Sequence, residues 1–203
     1  MGTMAFGQTW NIGYPNEKDV VATLVGGTLT ISGSGDMMDF DWYFSPWSQT
    51  NKVVIQEGVT SIGGWAFSGC SSLTSIEIPS SVTSIGGAFF ACVSLASIDV
   101  EGGNEYYSSE NGVLFNKDKT TLMRYPQGKA GKYYFIPNSV TSIEGGAFYA
   151  CRSLISIEIP NSVTSIGIMA FGICESLTHI AAQLLKNHKK QSKFGYFQAI
   201  FVS

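Results

Sequence analysis

The repeating unit of this chain is VTSIGGWAFSGCSSLTSIEIP, residues 59–79, which returns in edited form from Val82, Val140 and Val163. Val59 and Val82 are 23 residues apart, as are Val140 and Val163. A unit this short cannot bury its apolar side alone, so its copies must stack on one another. The period therefore predicts a repeat solenoid.

Four apolar positions of the unit recur in each copy. We align Ile62, Ile85, Ile143 and Ile166; Phe67, Phe90, Phe148 and Phe171; Cys70, Cys92, Cys151 and Cys174; and Leu73, Leu95, Leu154 and Leu177. The second copy is one residue short between Ile85 and Cys92, which places the deletion in a turn.

The end of the unit predicts a strand. Ile76 and Ile78 alternate with polar residues, as in a half-buried strand, and Pro79 ends it because proline cannot donate to a ladder. A second extended piece at Val82–Ile85 follows, and the Ala- and Phe-rich run after it favours a single helical turn. One coil is thus predicted as strand, bend, strand and turn.

The repeat, written VTSIGGxAFxxCxSLTSIEIP, resembles the leucine-rich repeat of the BspA family of bacterial and protist surface proteins. The resemblance covers residues 52–180. It implies a right-handed leucine-rich-repeat solenoid, mostly β with short helical turns. It also implies an extracellular location and a role in adhesion or protein binding, without catalysis.

The region before the repeats predicts a cap. Val20–Val25 and Thr28–Ser32 flank Gly26-Gly27 as a β-hairpin would. We expect this hairpin to cover the exposed edge of the first coil with the aromatic residues Trp10, Trp42 and Trp47. We predict an N-terminal hairpin cap over residues 1–50, a solenoid over 51–182 and an irregular C-terminal cap or tail over 183–203.

One coil is enlarged at about residues 101–132. Ile98 and its counterpart Tyr134 lie 36 residues apart. Within this coil, Val113–Tyr125 is typical of a hairpin that turns at Asn116–Lys119. Insertions in solenoids project from one face and often lie beside the binding surface, although this one is equally consistent with a tolerated decoration.

The repeat fails after Ile180. Four lysines gather there, Lys186, Lys189, Lys190 and Lys193. An amphipathic capping helix and a divergent, poorly packed end both remain open.

Composition argues against several classes of function. Charged residues make up 13% of the chain and the net charge is -3, so nothing favours nucleic acid as a partner. No apolar stretch is long enough for membrane insertion, and Met1–Trp10 lacks the features of a signal peptide. Given the family resemblance, we expect a secreted or cell-surface protein whose signal has been removed; a cytoplasmic location is the alternative.

The four cysteines occupy one slot of the repeat. Neighbouring slots stack ~5 Å apart, so Cys70 with Cys92 and Cys151 with Cys174 are candidates for disulfides. Buried free thiols are the favoured interpretation, because cysteine is a small apolar filler. Zinc would need four convergent ligands.

Catalytic motifs are missing from the sequence. The only histidines, His179 and His188, lie at the irregular end. Ser32–Asp36 faintly resembles a calcium-binding turn but is more typical of an ordinary turn. We therefore predict no enzymatic activity, no metal and no cofactor.

The outward positions of the predicted strands form a candidate partner-binding strip. Its members are Ser75, Glu77, Ser97, Asp99, Tyr133, Phe135, Ser156 and Glu158. The acidic column suggests a basic partner patch, whereas ordinary solvated strand faces would have the same composition. We predict a module that binds a protein partner, such as a host or matrix protein; the alternative is a structural, self-associating solenoid.

Overall fold

Each repeat contributes one long and one short strand to a β-solenoid. The computed structural model describes residues 7–41 and 45–182, so Trp42 and the predicted C-terminal segment 183–203 lie outside the described residues. The strands are β1 (Gln8–Asn11), β2 (Gly13–Tyr14), β3 (Val20–Val25), β4 (Thr28–Gly33), β5 (Asp36–Met37), β6 (Lys52–Ile55), β7 (Ser61–Ile62), β8 (Ser75–Ile78), β9 (Ser84–Ile85), β10 (Ser97–Val100), β11 (Tyr107–Glu110), β12 (Val113–Asn116), β13 (Thr121–Arg124), β14 (Tyr133–Phe135), β15 (Ser142–Ile143), β16 (Ser156–Ile159), β17 (Ser165–Ile166) and β18 (His179–Ala182). The long strands of the repeats are β6, β8, β10, β14, β16 and β18, and the short ones are β7, β9, β15 and β17. The predicted solenoid is confirmed.

Equivalent positions of successive coils stack in register. Ile76 on β8 lies opposite Ile98 on β10 in a parallel pair. Ile157 on β16 is flanked in the same way by Tyr134 and Ile180. Each apolar slot therefore forms a column through the coils on either side of the enlarged coil, as the period predicts.

The predicted helical turns are replaced by hydrogen-bonded turns, and the described residues contain no helix. The reason lies in where the amides of this segment donate. The Phe67 amide bonds to the Ala88 carbonyl of the next coil at 3.0 Å, and the Phe148 amide bonds to Ala170 at 2.7 Å. Donors that serve the neighbouring coil cannot also form the i to i−4 bonds of a helix.

A column of aromatic rings fills the part of the core that lies beside the turns, which we call the turn side. At one position the column shows that our alignment is wrong. Phe89, not Phe90, occupies the slot of Phe67: its ring stacks on Phe67 at 5.9 Å with an interplanar angle of 13°. The deletion in this copy falls before Ala88, which moves the slot back by one residue. Phe90 is half-buried and its ring instead contacts Trp65.

The four cysteines are free and buried, and each thiol donates to a backbone carbonyl of the preceding coil. The bonds run from Cys70 to Trp47 at 3.7 Å, Cys92 to Phe67 at 3.1 Å, Cys151 to Tyr125 at 3.6 Å and Cys174 to Phe148 at 2.9 Å. The slot thus holds a small apolar side chain that is also a weak donor. Burial raises the pKa of Cys70 to about 11 and that of Cys92 to about 12.

The N-terminal hairpin continues the ladder of long strands. Gly26 and Gly27 have φ of 57° and 82°, as a type I′ turn between β3 and β4 requires. Strand β4 pairs in parallel with β6, so the hairpin covers the edge of the first coil. Trp47 closes the core beneath it: it is fully buried, donates to the Ala66 carbonyl at 2.9 Å and contacts Trp10. The predicted hairpin is thus present at the edge of the first coil, and the bounds of the cap, residues 1–50, stay a prediction.

The enlarged coil contains a three-stranded antiparallel meander, one strand more than the hairpin we predict. Strands β12 and β13 form that hairpin, and β11 adds to its outer side. Strand β13 then pairs in parallel with β15 and so takes the place of a short strand. The meander is therefore built into the solenoid.

Two side chains anchor the meander to the preceding coil. Asn104 is fully buried; its amide nitrogen donates to the Pro79 and Val82 carbonyls at 2.9 and 2.8 Å, and its oxygen accepts two backbone amides. The Tyr107 hydroxyl accepts from the Ile85 amide at 3.0 Å. This hydroxyl thus bonds an amide at the edge of β9 that pairs with no other strand among the described residues.

The meander also divides the hydrophobic core. Two clusters of buried side chains lie on either side of β12. Leu114 belongs to the N-terminal cluster, whereas Val113 and Phe115 belong to the C-terminal one. Alternate side chains of a single strand thus join the two halves of the solenoid.

Candidate functional site

The candidate site is the outward face of the long strands, which we call the strand face. Its side chains alternate with buried ones, because successive residues of a strand point to opposite sides. The strand face consists of the eight predicted residues Ser75, Glu77, Ser97, Asp99, Tyr133, Phe135, Ser156 and Glu158. Ser97, Ser156 and Glu158 are half-buried, and the other five are exposed.

The N-terminal part of the strand face is acidic. Asp99 lies directly opposite Glu77 across the parallel pair of β8 and β10. The Ser97 hydroxyl donates to the Asp99 carboxylate at 2.7 Å and holds it in place. Adjacent carboxylates on one face cost a little stability. This part therefore places two carboxylates side by side, of which Asp99 is held by a hydrogen bond.

The C-terminal part combines aromatic, acidic and hydroxyl groups. Phe135 lies opposite Glu158, and Tyr133 lies opposite Ser156. His179 follows Ser156 on the next strand and is exposed. An aromatic ring and a carboxylate thus stand side by side on neighbouring strands.

Tyr133 and Phe135 form an exposed aromatic pair on a fixed backbone. Their exposed fractions are 67% and 69%. Tyr134, between them, points inward, and its ring lies 4.9 Å from that of Tyr125. Burial raises the pKa of Tyr134. The inward ring anchors β14, so the backbone that carries the outward pair is held in place.

The meander interrupts the strand face between β10 and β14, which are not paired with each other. Gly112 fills the gap: its carbonyl accepts from the Ile98 amide at 2.9 Å. A Cβ at Gly112 would lie 2.4 Å from the Ser97 hydroxyl oxygen, so only glycine fits this approach. The eight predicted residues therefore lie in two patches that the meander separates.

The sequence patterns do not predict a crevice of about 160 Å³ that lies beside the enlarged coil. Arg124 and Glu144 are among its lining residues. Burial lowers the pKa of Arg124, which donates to the Phe89 and Gly146 carbonyls at 2.8 Å and so ties two coils together. Burial raises the pKa of Glu144. Glu144 follows Ile143, whereas the equivalent residues of two other copies are Gly86 and Gly167. This change from glycine to glutamate is the feature of the sequence that could have indicated the crevice.

The predicted turn at Ser32–Asp36 makes structural contacts. The Gly35 amide donates to the Gly58 carbonyl at 2.9 Å, and the Asp36 carboxylate accepts from the Thr60 hydroxyl at 2.7 Å. These bonds dock the cap on the first coil. Within residues 7–41 and 45–182, no group of three or more His, Cys, Asp or Glu side chains could hold a metal ion. His188 lies outside these residues.

Across the part of the chain that the structure describes, no helix has the length and apolar character needed to cross a membrane.

A β-solenoid with stacked leucine and isoleucine slots and a solvent-exposed strand face defines a leucine-rich-repeat protein. The model of the BspA type leucine-rich repeat region matches residues 41–128 and 125–198, with 6 copies. The chain belongs to this family, and the predicted resemblance is confirmed.

Two solved structures share the fold at substantial identity. A leucine-rich cell surface protein from Faecalibacterium prausnitzii A2-165 is 37% identical, with a TM-score of 0.66 over 76% of this chain. The pneumococcal vaccine antigen PcpA is 29% identical, with a TM-score of 0.65 over 73% of this chain. The chain spans 41% and 38% of their respective lengths. Among curated proteins, no sequence matches the chain.

Proposed function

We propose that this chain is a non-catalytic binding module of a cell-surface or secreted protein, and that its strand face binds a protein partner. The observation that carries the proposal is the exposed pair Tyr133 and Phe135. Large aromatic side chains on a rigid surface are typical binding hot spots. Two of them side by side on one strand contribute nothing to the core.

The family and its solved relatives support the location. One relative is described as a cell surface protein and the other as a vaccine antigen. Leucine-rich repeats generally mediate protein interactions. A host or matrix protein is the partner class that such a surface module would meet.

A second candidate is a structural solenoid that associates with its own copies. An apolar patch on the turn side supports it: Ile168, Met169 and Ile173 are 74%, 55% and 47% exposed. Analytical ultracentrifugation over a range of concentrations separates the two candidates. A binding module stays monomeric, whereas a self-associating solenoid gains mass with concentration and loses it when Ile168 and Met169 become serine.

The proposed function is tested by removing the aromatic pair. Surface plasmon resonance would compare the wild type with Tyr133→Ser/Phe135→Ser on a panel of purified extracellular-matrix proteins. We expect at least one matrix protein to bind the wild type and the double variant to bind it about 30-fold more weakly, as the loss of a hot spot of about 2 kcal/mol implies.

The matched control is Tyr106→Ser, which removes an exposed aromatic side chain that lies outside the strand face. Tyr106 is 52% exposed and makes its hydrogen bond to Asn104 through the backbone. This variant should bind like the wild type. Equal binding by the double variant, or no binding of the wild type to any matrix protein, would refute the proposal.

A further inference from the structure

We infer that the strand face recognises a basic, extended segment of its partner, one that presents lysine or arginine side chains. This inference rests on the proposed function, because it names the chemistry of the partner at the same face. It comes from the charges that the face leaves without a counterion and from the position of its aromatic pair.

The three carboxylates of the strand face take no part in ion pairs within the described residues. The ion pairs found there join Lys119 to Glu110 and Arg152 to Glu175. Asp99 is held by the Ser97 hydroxyl, which is a neutral donor. The face thus displays negative charge that the described part of the chain does not neutralise.

The aromatic pair adds a second attraction for a cation. Phe135 and Glu158 are direct partners on adjacent parallel strands. Such strands lie ~4.8 Å apart, so the carboxylate stands beside the exposed ring. A lysine or arginine head group within ~6 Å of an aromatic ring is attracted to the ring face. One cationic side chain can therefore contact Phe135 and pair with Glu158 together.

The eight residues include no basic side chain. Two lysines stand at the margins of the face: Lys52 begins β6, and Lys132 precedes β14. A negative face with basic margins orients a cationic segment along the acidic positions and disfavours an acidic one. Because the meander divides the face, the partner segment must present cations to two separate patches.

The test uses synthetic peptides and charge-matched variants. Twelve-residue alternating peptides of lysine and serine, glutamine and serine, and glutamate and serine are titrated by fluorescence anisotropy at low and at moderate salt. The strand-face variant is Glu77→Gln/Asp99→Asn/Glu158→Gln. The control, Glu17→Gln/Glu105→Gln/Asp118→Asn, removes the same charge from three exposed positions outside the face.

The lysine peptide should bind the wild type and the control at least tenfold more tightly than the other two peptides do, and salt should weaken this binding. The strand-face variant should lose at least tenfold in affinity and most of the salt dependence. Equal binding of all three peptides, equal affinity of the two variants, or no binding of the lysine peptide overturns the inference.

Failure of this inference can be told apart from failure of the proposed function. If the strand-face charge variant still binds the matrix protein while Tyr133→Ser/Phe135→Ser does not, the face remains the binding site and the basic partner is wrong. If neither set of substitutions affects the matrix protein, the face itself is wrong.

Discussion

At the scale of single residues, the core depends on aromatic rings that cover one another from coil to coil. Phe148 is fully buried between Tyr125, at 5.3 Å, and Phe171, at 5.1 Å, and both pairs are stacked. Each ring packs between the ring of the preceding coil and the ring of the following coil. Damage in this column therefore propagates to both neighbours.

Replacing Phe148 with Asp should unfold the solenoid or lower its melting temperature by more than 15 °C, because the slot would hold an unpaired charge, and loss of a buried phenylalanine alone costs about 3–5 kcal/mol. Lys119→Ala removes only a surface ion pair, worth about 1 kcal/mol or less, and should leave the fold intact. Thermal unfolding followed by circular dichroism compares the two. Equal melting temperatures for the wild type and Phe148→Asp would disprove the register.

The thiols give a second prediction at this scale. Burial raises the pKa of Cys70 to about 11 and that of Cys92 to about 12, so at pH 8 both thiols are protonated and shielded. We expect a thiol reagent such as Ellman's reagent to react with none of the four cysteines in the native protein and with all four in denaturant. Fewer than four in denaturant without reductant would reveal a disulfide.

The same pKa values set the sign of the pH dependence. The folded state favours the neutral thiol, so its stabilisation is complete below the ordinary cysteine pKa of 9.0. This stabilisation is lost as the pH rises from 9 toward 11 for Cys70 and toward 12 for Cys92, because the unfolded chain then releases protons that the folded chain retains.

At the scale of elements, sequence patterns predict the strands and miss what tertiary contacts decide. Alternation predicts β8 and β16, and the Gly26-Gly27 turn predicts the cap hairpin. The predicted helical turn does not form because its amides bond to the next coil. Local helix propensity carries no information about this contact between coils. Strand β11 escapes prediction because none of its side chains is fully buried, which leaves no apolar alternation to detect.

Asn104 is the element-scale anchor, and its removal should loosen the meander. Asn104→Ala removes the hydrogen-bond partner of two backbone carbonyls and two backbone amides. Each buried group left without a hydrogen bond costs about 1–3 kcal/mol. We expect the free energy of unfolding in urea to fall by at least about 2 kcal/mol. Asn138→Ala is the control, since Asn138 is exposed. Equal losses from both substitutions would show that the anchor is unimportant.

At the scale of the whole molecule, the meander sets the layout of both the core and the strand face. The outward positions could be predicted because strand alternation fixes them once the period is known. Their division into two patches could not, because it depends on Gly112 reaching Ser97 across the enlarged coil. Arg124 was missed for a similar reason: it bridges carbonyls of coils that the sequence separates by an insertion.

Hydroxyl-radical footprinting of the protein, with and without a matrix protein that binds it, measures whether the strand face is the binding surface. Tyr133 and Phe135 on the strand face and Met169 on the turn side are all reactive and more than half exposed, at 67%, 69% and 55%. We expect binding to protect Tyr133 and Phe135 and to leave Met169 as reactive as in the free protein. Protection of Met169 with unchanged oxidation of Tyr133 and Phe135 would contradict it.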